Sequence, residues 1–166
     1  MNWTYNDEEF TSDMIGDNYG FVYEIKNIQT GMKYIGKKFF WSKRTLPPLK
    51  GNTRKRHRVV ESDWLKYWSS CKPLLADVAK LGRCYFTREI ISLHANKTET
   101  NLAELQRQVL MNTLDAVDPD DNRLYYNANI ERIYYPSERF RVKRNTLFNK
   151  TMEQASAELD KRRKAN

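Results

Sequence analysis

Phe21-Val22-Tyr23-Glu24-Ile25-Lys26-Asn27-Ile28-Gln29-Thr30-Gly31-Met32-Lys33-Tyr34-Ile35-Gly36-Lys37 is the stretch on which the fold turns. Residues 21–26 alternate aromatic or branched side chains with polar ones, residues 27–31 interrupt with turn formers, and residues 32–37 resume the strand-like pattern. A β-hairpin is expected. Pairing it symmetrically about the turn puts Tyr23 opposite Tyr34 and Val22 opposite Ile35, with both tyrosine rings on one face.

The hairpin sits in a chain of 166 residues, enough for one core and too short for two. A composition 40% hydrophobic and 13% aromatic, with 6 Gly and 5 Pro, excludes disorder or low complexity for the bulk of it. Residues 1–18 carry Asp7, Glu8, Glu9, Asp13 and Asp17 without an apolar run, so they read as an acidic leader and not as a secretion signal. No run of about 18 apolar residues exists, so a soluble, cytoplasmic protein with no membrane association is expected. Cys71 and Cys84, with only two histidines, make no spaced zinc signature and read as two core thiols in a reducing compartment.

Downstream, residues 37–58 hold Lys37, Lys38, Lys43, Arg44, Lys50, Arg54, Lys55, Arg56, His57 and Arg58 and no acid. Pro47, Pro48 and Gly51 break this stretch, which suggests a short helix over 39–45 followed by a loop. Helical spacing of Trp64, Leu65 and Trp68 predicts a helix over 62–68, and Pro73 to Leu81 a second one that Gly82 ends. Residues 84–93 read as a strand, central or beside the hairpin. Thr98 or Thr100 can cap a helix running to about Leu114, with Leu102, Leu105, Val109 and Leu110 as its buried stripe. Residues 118–122 form a turn, 124–127 return to aromatic packing, 130–136 form a short strand-like piece, and the tail from Arg144 reads as a marginal, exposed helix. The expected architecture is α/β (α+β): a small mixed or antiparallel central sheet with an N-terminal hairpin, flanked by helices. Its parts would be the acidic leader, a domain over 19–136, and a basic helical extension over 137–166.

The order of certain residues resembles a known family, the GIY-YIG nucleases. Phe21-Val22-Tyr23 stands where that family has Gly-Ile-Tyr, and Tyr34-Ile35-Gly36 matches its second motif verbatim. An arginine ten residues past the second tyrosine, a glutamate on a later helix and a still later Tyr-Asn pair follow in the family's order, over about residues 19–129. Gly36-Lys37-Lys38-Phe39, the basic loop, Asp63-Trp64 and Tyr67-Trp68-Ser69-Ser70 look most like the compact phage-type members, which for a phage-encoded chain implies a bacterial host cytoplasm.

The resemblance implies a catalytic set of Tyr23, Tyr34, Arg44, Glu104 and Asn127. Tyr23 would be a general base or water-orienting group, and as a phenol it acts as a base only if Lys37, Lys38 and Arg44 lower its pKa or a metal helps deprotonate the water. Tyr34 would stand beside it on the nucleophile or scissile phosphate. Arg44 presents a rigid donor fork to the phosphate. Glu104 would hold Mg2+ or Mn2+, with Glu99 as its competitor or as a simple helix N-terminal acid. Asn127 would buttress the site, with Asn129 close enough to take that place instead. His57 would be a DNA contact or spare ligand, and His94 structural.

A net charge of +8 and a pI near 9.4 favour an extended polyanion as partner. DNA contacts are expected from Lys37, Lys38, Lys43, Lys50, Arg54, Lys55, Arg56, His57 and Arg58. The sequence therefore supports a metal-dependent DNA endonuclease leaving 5′-phosphate and 3′-hydroxyl ends, acting as a monomer or homodimer. A non-catalytic nucleic-acid-binding or accessory protein on the same fold is the alternative, and a basic structural protein the third.

Overall fold

The computed structural model describes residues 2–51 and 53–137. They divide into a unit over 1–127 and a second beginning at Ala128. The expected extension over 137–166, with its helix from Arg144, lies outside the described residues but for Ser137.

The first unit is built on a five-stranded mixed sheet. Its strands are β1 (Thr4–Tyr5), β2 (Glu8–Glu9), β3 (Gly20–Asn27), β4 (Lys33–Phe39) and β7 (Phe86–His94), in the order β2-β1-β7-β3-β4. A separate two-stranded ribbon comprises β5 (Trp41–Leu46) and β6 (Arg56–Glu61), and the helices are α1 (Lys72–Leu81) and α2 (Lys97–Leu110). The architecture is α+β, and β7 pairs beside the hairpin strand β3 as expected.

The hairpin register differs from the symmetric pairing. Tyr23 lies opposite Gly36, Ile25 opposite Tyr34, Val22 opposite Lys37 and Glu24 opposite Ile35, a slip of two residues. The turn is asymmetric because Asn27 organises it: its side-chain oxygen accepts from the amides of Gln29 and Thr30, and Gly31 takes the positive φ of 74°. A two-residue slip preserves the pleat, so Phe21, Tyr23, Ile25 and Tyr34 still share one face, and Val22 and Ile35 the other.

The segment expected as a leader is built into this unit. Trp3, Phe10 and Ile15 are buried in the core with Phe21, Tyr23, Phe40 and Trp64, and the Trp3 indole donates to the Trp64 carbonyl at 2.8 Å. The acidic residues between them decorate turns and exposed edges. A short 124–127 segment covers the outer edge of β4: Lys33 N–H donates to Leu124 O and Tyr126 N–H to Lys33 O, each at 2.8 Å.

Four local expectations are corrected. Residues 41–46 form strand β5 and not a helix, because the stretch lacks an apolar face at helical spacing and finds β6, absent from the sequence reading, as a partner. Over 62–68 only a single 3-10 turn forms, Trp64–Lys66, since Trp64 alone of those three plugs into the core. α2 is capped by Asn96, whose side chain accepts from Glu99 N–H at 2.9 Å, and Thr100 is buried within the helix. Cys84 is exposed in a 3-10 turn and Cys71 half-buried, both as free thiols.

The largest correction concerns the face of α2. Thr100 and Gln108 turn toward the sheet, while Leu102 and Val109 are exposed and Leu110 is 77% exposed. The polar face wins because the outer edge of β4 offers backbone groups to satisfy: Gln108 Nε2 donates to Ile35 O at 3.1 Å. The leucine face is left over a shallow apolar cleft with Val22, Ile91 and Ala103. α1 follows expectation, burying Leu74 and Val78 and ending at Gly82 with φ 95°. Among the described residues no helix is long and apolar enough to cross a membrane.

Candidate active site

Gly36 is where the two motifs meet. Tyr23 and Gly36 are cross-strand partners, and a Cβ on Gly36 would lie 2.7 Å from the Tyr23 hydroxyl oxygen and 2.8 Å from the Tyr34 ring. Glycine is therefore required there so that both rings can lie across β4, with centroids 6.1 Å apart. It is the tyrosines themselves that occupy the space a side chain would fill.

Tyr23 is 1% exposed, and burial pushes its hydroxyl well above the usual phenol range. Tyr34, Tyr67 and the charge of Glu104 push it further in the same direction. The Tyr34 hydroxyl is pushed up to about 12, again chiefly by burial, against hydrogen bonds from Ser70 and Ser69 that lower it. Lys37, Lys38 and Arg44, the cations that could have lowered the Tyr23 pKa, are not among the groups acting on it. Lys37 is taken up by Glu104 and Lys38 by Asp63, so desolvation and then the neighbouring Tyr34 and Tyr67 hydroxyls dominate.

Tyr67 is the residue that sequence reasoning missed. Its hydroxyl shares a hydrogen bond with that of Tyr23, and the two rings meet edge to face at 6.2 Å. The Lys38 ammonium sits 4.0 Å from the Tyr67 ring centroid. Arg88 holds the segment in place: its guanidinium donates to Leu65 O and Tyr67 O at 3.1 and 2.9 Å and stacks between Trp3 and Trp68. The motif Tyr67-Trp68-Ser69-Ser70 was visible, but its side-chain roles arise from contacts across many residues of chain.

Glu104 emerges from α2 toward β4, where its carboxylate pairs with Lys37 Nζ at 2.5 Å with only 12% of the side chain exposed. Its charge reaches both tyrosine hydroxyls. Glu99, by contrast, is an exposed first-turn residue of the same helix, a position that suits the helix dipole. No group of three His, Cys, Asp or Glu forms a ready metal cage among the described residues. What these residues offer a Mg2+ ion is the single carboxylate of Glu104, and Mg2+ keeps much of its hydration and takes few protein ligands.

Asn127 is 3% exposed and continues the β4 edge with its side chain. Its Nδ2 donates to Ile35 O at 2.8 Å, while its Oδ1 accepts from Ile35 N–H at 3.1 Å. The amide thus imitates a paired strand at the residue between Tyr34 and Gly36. Asn129 has a local role, accepting from Arg132 N–H.

Arg44 is exposed on β5, directly opposite Arg58. It lines a cleft of about 420 Å3 whose other residues include Lys38, Trp41 and Asp63. The structure brings Tyr23 and Tyr34 together at Gly36 with the Glu104 charge acting on both hydroxyls, sets Asn127 on the edge of β4 at Ile35, and lines one cleft with both Arg44 and Lys38. Among the expected DNA contacts, Lys43, Arg56, His57 and Arg58 lie exposed on the ribbon, and Lys50, Arg54 and Lys55 are exposed in its connecting loop. His57 Nδ1 lies 3.3 Å from the Thr45 hydroxyl, and His94 Nε2 lies 2.8 Å from that of Ser92.

No curated protein and no solved structure matches this chain. A family model described as "Putative endonuclease segE, GIY-YIG domain" matches residues 3–130, a span that takes in β1 and every residue of the site. The chain belongs to the GIY-YIG family.

Proposed function

We propose that this chain is a divalent-metal-dependent DNA endonuclease that hydrolyses phosphodiesters to 5′-phosphate and 3′-hydroxyl ends. The observation that carries the reading is the meeting of Tyr23 and Tyr34 at Gly36, with the Glu104 charge acting on both hydroxyls and Lys38 and Arg44 lining one cleft.

Water attacks phosphorus and the bond to the 3′ oxygen breaks. Because burial keeps both phenols protonated, Tyr23 acts as an orienting group and relay, and not as a tyrosinate. Its oxygen accepts a proton from the attacking water while its own proton passes to Tyr67, which returns one to solvent. Tyr34 donates a hydrogen bond to the phosphate. Arg44, and Lys38 behind it, offset the charge that gathers on the phosphate oxygens. Glu104 would hold the Mg2+ or Mn2+ ion, whose chemistry there is stabilisation of charge on the phosphate and on the departing 3′ oxygen. Asn127 and Gln108 keep Ile35, and with it the tyrosine edge, in register.

Incubation with supercoiled plasmid, with and without magnesium, tests this. Magnesium-dependent nicked or linear product is expected. Intact plasmid bound by the protein in both conditions would favour a DNA-binding protein without catalysis.

A further inference from the structure

The β5–β6 ribbon stands outside the main sheet, and its register sorts its side chains into two faces. Ser42 with Val60, Arg44 with Arg58 and Leu46 with Arg56 share one face, and Lys43 with Val59 and Thr45 with His57 the other. Both faces are open beyond the first pair: residues 43–45 and 56–59 are all exposed, Val59 by 64%. An isolated two-stranded ribbon is marginal in water, and like charges directly opposite weaken it further. Arg44 opposite Arg58, with Arg56 one pair further out, therefore makes sense only with an anionic or acceptor-rich ligand on that face.

The base of the ribbon is firmly set. Ser62 N–H donates to Phe40 O at 2.6 Å, Glu61 accepts from Ser12 and from the Trp64 indole at 2.7 and 2.6 Å, and the Trp41 indole donates to Asn18 O at 3.0 Å. Arg44, on the arginine face, lines the same cleft as Lys38, whose ammonium lies over the ring of Tyr67, the edge-to-face neighbour of Tyr23. A duplex lying on this face is thus delivered to the candidate active site.

We propose that the ribbon enters the major groove of B-form DNA and that Arg56 and Arg58 read guanines there, which rests on the reading of this chain as a DNA endonuclease. The major groove, about 12 Å wide, admits a two-stranded ribbon and presents a distinct donor and acceptor pattern for each base pair, whereas the minor groove, about 6 Å wide, separates little more than A·T from G·C. The deep, narrow major groove of duplex RNA is closed to such a probe. Arg56 and Arg58 are two residues apart on one strand, an advance of about 6.8 Å, which equals about two base-pair steps of DNA. An arginine fork matches the O6 and N7 acceptors of guanine, so the preferred site carries guanines two base pairs apart. Lys43, Lys50, Arg54 and Lys55 hold the flanking phosphates without sequence preference.

The test is selection from a pool of randomised duplexes by the full chain in calcium, where binding is scored without cleavage, followed by Arg56→Lys and Arg58→Lys. Lysine keeps the charge and loses the fork. The wild-type pool should converge on two guanines at that spacing. Each lysine variant should lose one of them, its ratio of specific to non-specific affinity falling on the order of tenfold with an unchanged salt slope. Binding without base preference, or lysine variants that select the same site, would overturn the ribbon as a reader while leaving the endonuclease reading intact. A wild-type chain that binds no duplex would overturn both.

Discussion

The hydroxyl of Tyr23 lies directly over Gly36, its partner on the neighbouring strand, in space that any other residue's Cβ would occupy at 2.7 Å. Both rings crowd the same point, so Gly36→Ala must push Tyr23 and Tyr34 out of place. We expect it to cost about 1–3 kcal/mol of stability, as overpacking typically does, and to reduce single-turnover cleavage by more than tenfold while DNA affinity holds. Thermal melts and a cleavage time course check this, and near-normal cleavage would mean that the tyrosine pair tolerates displacement.

Stability at high pH follows from the same burial. The Tyr34 hydroxyl is raised from 10.0 to about 12 and that of Tyr23 is raised as well, so the folded chain holds protons that the unfolded chain has released. Their contribution is fully present below pH 10 and is lost as pH climbs from 10 toward 12. Tyr34→Phe should flatten the fall in melting temperature across that window. An equally steep fall in the variant would show that Tyr34 does not drive it.

Asn127 and Gln108 both serve Ile35 O, and Asn127 also serves its N–H. Asn127→Leu should leave that N–H unpaired and cost about 1–3 kcal/mol. Asn127→Asp keeps that acceptor but sets a buried carboxylate oxygen against Ile35 O, and should cost at least as much. Cleavage should fall in both variants at saturating metal. Variants that melt and cleave like wild type would show that the amide does not hold the edge of β4.

Much of this was legible in the sequence and some was not, for physical reasons. Period-two alternation gave the hairpin, and it kept Tyr23 and Tyr34 on one face even though the register slipped by two, because parity survives an even slip. The face of α2 was misread because an apolar stripe normally turns inward. Here a strand edge with backbone groups to satisfy drew Gln108 instead, and Thr100 is buried on the same face with its hydroxyl on Asn96 O. The ribbon was hidden because charge dominates its composition and its pairing partner lies beyond a proline-containing loop. Tyr67 and Arg88 act through contacts that no local pattern encodes.

Lys37 competes for the carboxylate proposed to hold the metal. Lys37→Gln should release Glu104 and lower the manganese concentration needed for half-maximal binding, measured by calorimetry on the DNA-free protein. Unchanged or weaker binding would argue that the ion does not sit on Glu104.

The central claim is that Glu104 supports cleavage and not DNA binding. Glu104→Gln keeps size and helix while removing the charge that would hold the ion. The decisive measurement is single-turnover cleavage of a labelled duplex in magnesium, paired with duplex affinity in calcium and controlled by a mock purification against contaminating nuclease. The account predicts a loss of cleavage of at least about a hundredfold with affinity within about twofold of wild type. Full cleavage by Glu104→Gln would contradict it.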